Sequence, residues 1–467
     1  MIYFASDLAP IIPEISLTLI ALFCMILGLY GSMAKAIWWI AGILIIPFII
    51  FLFGFGGENI SGNVTLGSLV INLHTQFEKG ILLFFALLLL LFYGGLGRIR
   101  YWTHGHHEYI VLLLLSTISG MIAISARDFL VLYASLELMS LVGYVFASYD
   151  RDSVLSSEAG MKYFILGSLV SCIMLFGMSY IYGFSGSLSF ADIRAFIANN
   201  PSNPGLIAGL MIFLFGILFK LSLAPLHFWT QDVYQGSPLI SVAYFSSIPK
   251  FVTLVSLLNI RGYVLPDLTA VFAPMWIGVA LVSMFIGAFG AIAQTSLKRL
   301  IGYSAILNSG FVLLGMSALE THGLSESLIY QIIYSVSAIG LLAVLAITIV
   351  PEADDYPVQN LSGFGAVKKL AAFSISVFIF SLAGIPPLAG FFGKALVIWC
   401  ALTAEYFVSS TISVLLSVVA AFYYINIVRL IYFSAPTIPQ IRLHESSCLV
   451  IVISFATAFV ILFPLFW

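Results

Sequence analysis

Four ionisable side chains, Glu137, Lys220, Lys250 and Lys394, stand inside stretches that are otherwise almost wholly apolar. A charge at the centre of a bilayer costs about 2.5 to 3.5 kcal/mol on the insertion scale, so such residues turn toward one another or toward water and mark routes for ions or protons. Lysine suits a route of this kind because burial opposes its ammonium form and a nearby carboxylate favours it, so a modest rearrangement moves it between states. Lys220 is the natural partner for Glu137: close together each keeps the other charged, and separation releases a proton. A static buried ion pair that only fixes helix packing is the competing reading.

Weaker candidates surround these four. Ser237, Ser241, Tyr244, Ser247 and Lys250 recur at steps of three or four and so share a helix face. Protons hop along hydroxyls and water in such a stripe, and the same stripe also hydrogen-bonds neighbouring helices. Lys162 follows Glu158 by four residues, the spacing of an ordinary intrahelical pair or of a relay step. His227 and Asp232 either extend a proton path or brace the helix that carries them. His104, His106, His107 and Glu108 cluster in an expected loop, and with no distant ligand set to complete a metal site an exposed polar turn is expected.

The elements that must hold these residues follow from composition. The 467 residues are 61% hydrophobic and 8% charged, where a soluble domain carries about 25% charged residues. An integral membrane protein is implied. A formal net charge of −2 gives no electrostatic grip on nucleic acid. Cys24, Cys172, Cys400 and Cys448 lie far apart in apolar runs, so neither a disulfide framework nor an iron–sulfur site is expected. The first cation is Lys35, beyond the first apolar run, so a retained first span is expected rather than a cleaved leader.

With about 20 apolar residues as one crossing, the chain divides into fourteen segments: 11–30, 34–55, 79–97, 107–125, 128–148, 158–183, 205–234, 238–259, 269–293, 298–319, 325–350, 370–405, 408–433 and 447–467. The longer polar connections, 56–78, 184–204 and 351–369, are too small to be separate folded domains. Odd-numbered loops carry Lys35, Arg98, Arg100, Arg151, Lys298, Arg299, Lys368, Lys369 and Arg442, against Lys79, Arg127, Arg194 and Arg261 in the even-numbered ones. Cations stay on the cytoplasmic side, so both termini are expected outside, in the periplasm.

The seventh and twelfth segments exceed one crossing and contain Pro225 and the pair Pro386-Pro387. A proline inside a helix removes a backbone hydrogen bond and clashes with the preceding turn, so both helices should break. Backbone groups freed at mid-depth are tolerated where they line a polar cavity or are covered by protein. Lys220 lies five residues before Pro225 and Lys394 seven after Pro387. Two interrupted segments five helices apart suggest two repeated halves. The expected division is 1–106 with three N-terminal spans, 107–260 with spans four to eight, 261–433 with spans nine to thirteen, and 434–467 with the last span.

Four motifs in order resemble the antiporter-like membrane subunits of respiratory complex I. They are Asp128-Phe129-Leu130 through Leu136-Glu137-Leu138; Phe219-Lys220-Leu221-Ser222-Leu223-Ala224-Pro225-Leu226-His227-Phe228-Trp229 through Gly236; Lys298-Arg299-Leu300-Ile301-Gly302-Tyr303-Ser304; and Gly390-Phe391-Phe392-Gly393-Lys394. The likeness covers about Glu108 to Arg429. A lysine in both the eighth and twelfth segments, fourteen spans and no long lateral helix after the last bundle helix look like one particular subunit of that family.

The resemblance implies an all-α transmembrane bundle of about fourteen helices with two inverted five-helix repeats. It also implies a proton route through Glu137, Lys220, Lys250 and Lys394, driven by redox chemistry in other subunits. By the same resemblance this chain binds no cofactor. NADH, FMN, iron–sulfur clusters and quinone belong to partners, and the chain sits among other membrane-arm subunits in the lipid of a bacterial inner membrane. The family often has a histidine in the tenth helix where this chain reads Ser304-Ala305-Ile306-Leu307-Asn308-Ser309-Gly310, which puts a histidine-dependent step there in doubt. A sodium/proton antiporter subunit of the related multi-subunit type and a structural subunit with a silent channel are the competing functions.

Overall fold

In lipid every backbone N–H and C=O must be satisfied inside the protein, and a helix does so within one segment. This chain is accordingly helical almost throughout. A computed structural model describes residues 11–30, 37–54, 64–96, 106–318, 322–348, 356–435 and 446–466. Among these residues ten helical segments are long and apolar enough to cross a membrane, and shorter apolar helices complete the set.

The helices are α1 (Ile12–Gly28), α2 (Ile37–Gly54), α3 (Leu73–Leu96), α4 (His106–Ser125), α5 (Phe129–Ala147), α6 (Val154–Ser185), α7 (Phe190–Asn199), α8 (Pro204–Lys220), α9 (Phe228–Gly236), α10 (Leu239–Ser246) and α11 (Ile248–Tyr263). They continue as α12 (Thr269–Ile292), α13 (Leu297–Ser317), α14 (His322–Thr348), α15 (Phe364–Val367), α16 (Lys369–Ala383), α17 (Ala389–Thr403), α18 (Phe407–Phe433) and α19 (Ser447–Leu462). Each of the fourteen expected segments coincides with one of these helices or with a consecutive pair. A small antiparallel hairpin, β1 (Val64–Leu66) and β2 (Leu69–Ile71), lies in the connection before α3.

The chain forms two compact units. The first comprises Met1–Phe146, Gly167–Ile217 and Phe251–Asp267. Within it Tyr109 of α4 is stacked between Tyr93 of α3, 4.8 Å away, and Phe146 of α5, 4.1 Å away. The second comprises Ala147–Leu166, Leu218–Lys250 and Leu268–Trp467. Its centre is α13, which is buried along its whole length except at Arg299 and Tyr303. Small residues let neighbouring helices approach α13 closely. A Cβ on Gly310 would lie 2.9 Å from the Ala280 carbonyl oxygen of α12, and one on Gly302 would lie 3.1 Å from Gln231 Cα of α9.

Three segments are interrupted. The seventh is split into α8 and α9 and the twelfth into α16 and α17, as their prolines require. The two breaks are built alike: Ser222 (φ 64°) and Gly384 (φ 84°) leave the helix in the left-handed region, and Pro225 and Pro387 follow. At each break an amide donates back over five residues, Leu223 to Leu218 and Ile385 to Phe380, both at 3.0 Å. That bond closes the last turn and satisfies a carbonyl that the helix would otherwise leave unpaired.

The third interruption corrects the expectation of one continuous eighth helix. α10 ends at Ser246, and Ser247 takes φ −117° and ψ −85° before α11 begins. Pro249 is the cause, because it has no N–H for the Phe245 carbonyl and its ring crowds that same group. The stripe from Ser237 to Lys250 is therefore divided at Ser247, whose hydroxyl turns back to the Ala243 carbonyl at 2.7 Å.

Two smaller expectations are corrected as well. Lys79 is not in a loop: α3 begins at Leu73, where Asn72 and Thr75 cap it reciprocally at 2.9 Å, and Lys79 is buried inside it. His106, His107 and Glu108 form the first turn of α4 rather than an exposed loop turn, and His104 lies outside the described residues. The connection 184–204 contains the helix α7. Of the loop cations, Lys35, Arg98, Arg100 and Arg442 lie outside the described residues.

Candidate functional site

Pro386 and Pro387 carry no amide hydrogen, so the carbonyls of Leu382 and Ala383, four residues earlier, lose their helical donors. Lys394 supplies them. From the second half-helix its Nζ reaches back to donate to Leu382 O at 2.8 Å and Ala383 O at 3.0 Å. The ammonium thus sits at the C-terminal, electronegative end of α16. It also lies 5.1 Å from the centre of the Phe311 ring of α13. Gly384 leaves room for it, since a Cβ there would be 2.9 Å from Lys394 Cδ.

Lys250, just past the third interruption, is 1% exposed. Its Nζ donates to Ala305 O at 3.0 Å and to Ser309 Oγ at 2.9 Å, both on α13, and lies 5.5 Å from the centre of the Tyr334 ring of α14. The groups that hold Lys250 and Lys394 are therefore neutral: carbonyls, one hydroxyl and ring faces.

Helix α13 connects the two environments. Ala305 and Ser309 serve Lys250 and Phe311 serves Lys394, a span of about 9 Å at 1.5 Å per residue. Between Ala305 and Ser309 in sequence, Asn308 donates to Ser304 O at 2.8 Å and accepts from Tyr330 Oη at 2.5 Å. Ser304 Oγ pairs with Tyr424 Oη at 2.5 Å. Asn308 is thus the hub of a buried network that joins α13, α14 and α18.

The remaining expected residues divide into three groups. Lys220 is half-buried at the last position of α8, in the same unit as Lys250 and Lys394. His227 is buried in the same break, and its Nδ1 has no hydrogen-bond partner there. The break itself is pinned by Trp229 Nε1 donating to Phe219 O at 3.1 Å and by Ala224 N donating to Ser283 Oγ at 2.9 Å.

Lys162 and Asp232 form an ion pair at 2.9 Å. Glu158 pairs with the same lysine at 2.7 Å, and Arg299 approaches Asp232 at 3.4 Å. These side chains are partly exposed, so they make a surface cluster and not a buried relay. Tyr244 is buried just before the third interruption and Ser247 is buried at it.

Glu137 belongs to the first unit and the three lysines to the second. Its Oε2 accepts from Ser171 Oγ at 2.5 Å. It is half-buried, and Leu130, Leu138, Leu141 and Val145 beside it on α5 are exposed. The carboxylate therefore borders an outward face of the chain.

Tyr330 and Tyr424 did not stand out in the sequence, because tyrosines in apolar runs carry no spacing signal. The pair Glu14 and Lys79 was also missed: Lys79 Nζ donates to Glu14 Oε1 at 2.5 Å, and Lys79 is 1% exposed. Glu14 standing three residues inside α1 was the available signal.

Comparison with known proteins bears on all of this. The family profile described as NADH:quinone oxidoreductase/Mrp antiporter, TM, matches residues 126–420. The NADH-quinone oxidoreductase subunit N of Rickettsia felis is 40% identical over 426 residues, covering 91% of this chain and 92% of the relative. That of Paramagnetospirillum magneticum is 36% identical over 437 residues, covering 92% and 89%. Among solved structures, a chain of respiratory complex I from Thermus thermophilus with bound Aureothin superposes with a TM-score of 0.81 at 25% identity over 97% of both chains. A chain of the Mrp complex from Dietzia sp. DQ12-45-1b gives a TM-score of 0.83 at 18% identity, over 97% of this chain and 94% of that one.

Proposed function

The chain belongs to the NADH:quinone oxidoreductase/Mrp antiporter transmembrane family, and on that premise we propose that it is a proton-translocating membrane subunit of an NADH-quinone oxidoreductase. It crosses the membrane many times and sits among other membrane-arm subunits. Its relatives named subunit N favour this reading over a Mrp-type antiporter, because the Mrp likeness at 18% identity is one of fold. We place the chain in a bacterial inner membrane with both termini in the periplasm. NADH, FMN, iron–sulfur clusters and quinone belong to partner subunits, and this chain works without a redox centre of its own.

The observation that carries the mechanism is the burial of Lys250 and Lys394 against neutral acceptors, both beside the helix that carries Asn308. For a buried lysine, desolvation works against the ammonium and carbonyl acceptors work for it, so the charge of the surroundings decides which form prevails. In the proposed cycle Lys220 takes a proton from the cytoplasm. The proton passes by water and hydroxyls to Lys250, moves along the Ser309, Asn308 and Tyr330 side of α13, and reaches Lys394, from which it leaves to the periplasm. Asn308 takes part by orienting water and Tyr330, since its amide does not ionise near neutral pH. Glu137, at the outward face of α5, is the group placed to respond to a charge in a neighbouring subunit.

The test is Lys220→Ala in the assembled enzyme, with NADH:quinone turnover and proton pumping measured together. Loss of both with intact assembly is expected. Unchanged pumping would remove the central element of the proposal. Copurification with flavin and iron–sulfur subunits in mild detergent separates this function from a stand-alone antiporter.

A further inference from the structure

Helices α9 and α10 and the turn between them carry buried hydroxyls that have no hydrogen-bond partner in the chain. Thr230 Oγ1, Tyr234 Oη, Ser237 Oγ and Ser241 Oγ are all buried without a hydrogen bond. Tyr334 Oη, on the ring beside Lys250 Nζ, is in the same condition. Thr230 and Tyr234 stand four apart and so share one side of α9, and Ser237 and Ser241 follow at steps of three and four across the turn. Buried hydroxyls left unpaired by the protein are ordinarily satisfied by water. The stretch from Thr230 to Ser241 is therefore suited to hydration, and Tyr334 beside Lys250 carries a further unpaired hydroxyl.

The outer end of this stretch is Ser237, in the turn between α9 and α10, where Gln235, Gly236 and Pro238 are half-exposed. Ser237 itself is fully buried. Lys298 Nζ donates to Gln235 O at 3.1 Å and to Ser237 O at 2.8 Å, and it lies 4.7 Å from the centre of the Tyr356 ring. Arg299, next along α13, is held separately by Asp232 and by Gln235 Oε1.

The geometry points to Lys298 as a gate on the water path to Lys250: with its ammonium on the two carbonyls the mouth at Ser237 is closed, and withdrawal of the side chain admits water to the hydroxyl strip. The inference rests on the proposed role of Lys250 as a proton carrier. Lysine fits the task because its flexible stem holds a single ammonium whose bonds to carbonyls are readily exchanged for bonds to water. A gate also has to close against a boundary, and the Lys162, Asp232 and Arg299 cluster supplies a charged, hydrated one.

The experiment reads access and not pumping, so its failure is distinct from failure of the proton relay. In the assembled enzyme, with the four native cysteines replaced, Ser241→Cys reports whether Ag⁺ enters from the cytoplasmic side, as protection from later alkylation under denaturing conditions. With Lys298 in place the thiol should react slowly. Lys298→Gln should raise the rate about tenfold or more, and Lys298→Arg, which keeps two donors, should leave it low. Equal rates in all three, or a Lys298→Gln enzyme that only loses thermal stability, would overturn the gate and leave Lys298 as a helix cap. If Lys298→Gln fails to assemble, comparison of Ser241→Cys with Asp152→Cys in the exposed loop before α6 decides: similar rates overturn the inference and a much slower Ser241→Cys supports it.

Discussion

Lys394 donates to the carbonyl of Leu382, the group from which Pro386 withholds an amide hydrogen. The same ammonium serves Ala383, deprived in turn by Pro387. A residue expected for proton transport thus also completes the backbone of a broken helix, and the two roles make separable predictions.

Lys394→Met leaves two buried carbonyls unmet, each costing about 1–3 kcal/mol. The assembled enzyme should lose thermal stability and pumping together. Lys394→Arg keeps the donors and should retain most of the stability while pumping falls, because guanidinium does not release its proton near neutral pH. Thermal inactivation and proton uptake into vesicles read the two effects apart.

Asn308→Leu removes the amide that accepts from Tyr330 and donates to Ser304. Turnover should fall about tenfold, which corresponds to ~1.4 kcal/mol in the barrier, with assembly preserved. Asn308→His restores a group able to accept from Tyr330 and should recover most of the rate. A Leu variant as active as the parent would exclude Asn308 from the path.

Gly384 and Ser222 sit at equivalent points of the two breaks with φ of 84° and 64°. Gly384→Ala adds a Cβ against Lys394 and should destabilise the enzyme by about 1–2 kcal/mol. Ser222→Gly removes a left-handed penalty and should be neutral or stabilising by up to about 1 kcal/mol. Thermal inactivation midpoints of the assembled enzyme test both signs.

Glu14 and Lys79 form a buried ion pair in the first unit. Removing one partner should cost about 3–5 kcal/mol, because the other charge is left buried and alone. The double change Glu14→Gln with Lys79→Met should recover most of that loss. Assembly yield measures the effect, and turnover per assembled enzyme should be unchanged.

The spans were legible because the bilayer sets one length scale, and the breaks at Pro225 and Pro386-Pro387 because missing amides have only one consequence inside a helix. Pro249 carried the same information but stands inside an apolar run of ordinary span length, which masks the interruption. Lys79 read as a loop cation because the amphipathic first turn from Leu73 lowers local hydropathy, although Asn72 and Thr75 spell out a helix start. At the site, the buried lysines declared themselves by their cost. Tyr330 and Tyr424 did not, since a tyrosine is at home in an apolar core and only tertiary packing brings its hydroxyl to Asn308 or Ser304.

Helix α13 is wedged on two flanks, with Gly302 against α9 and Gly310 against α12. A rod gripped that closely suits a stationary part better than the rocking bundles of alternating-access carriers. A proton relay built on such a helix would work like a solid-state circuit, with fixed scaffolding, swivelling side chains and shifting hydrogens.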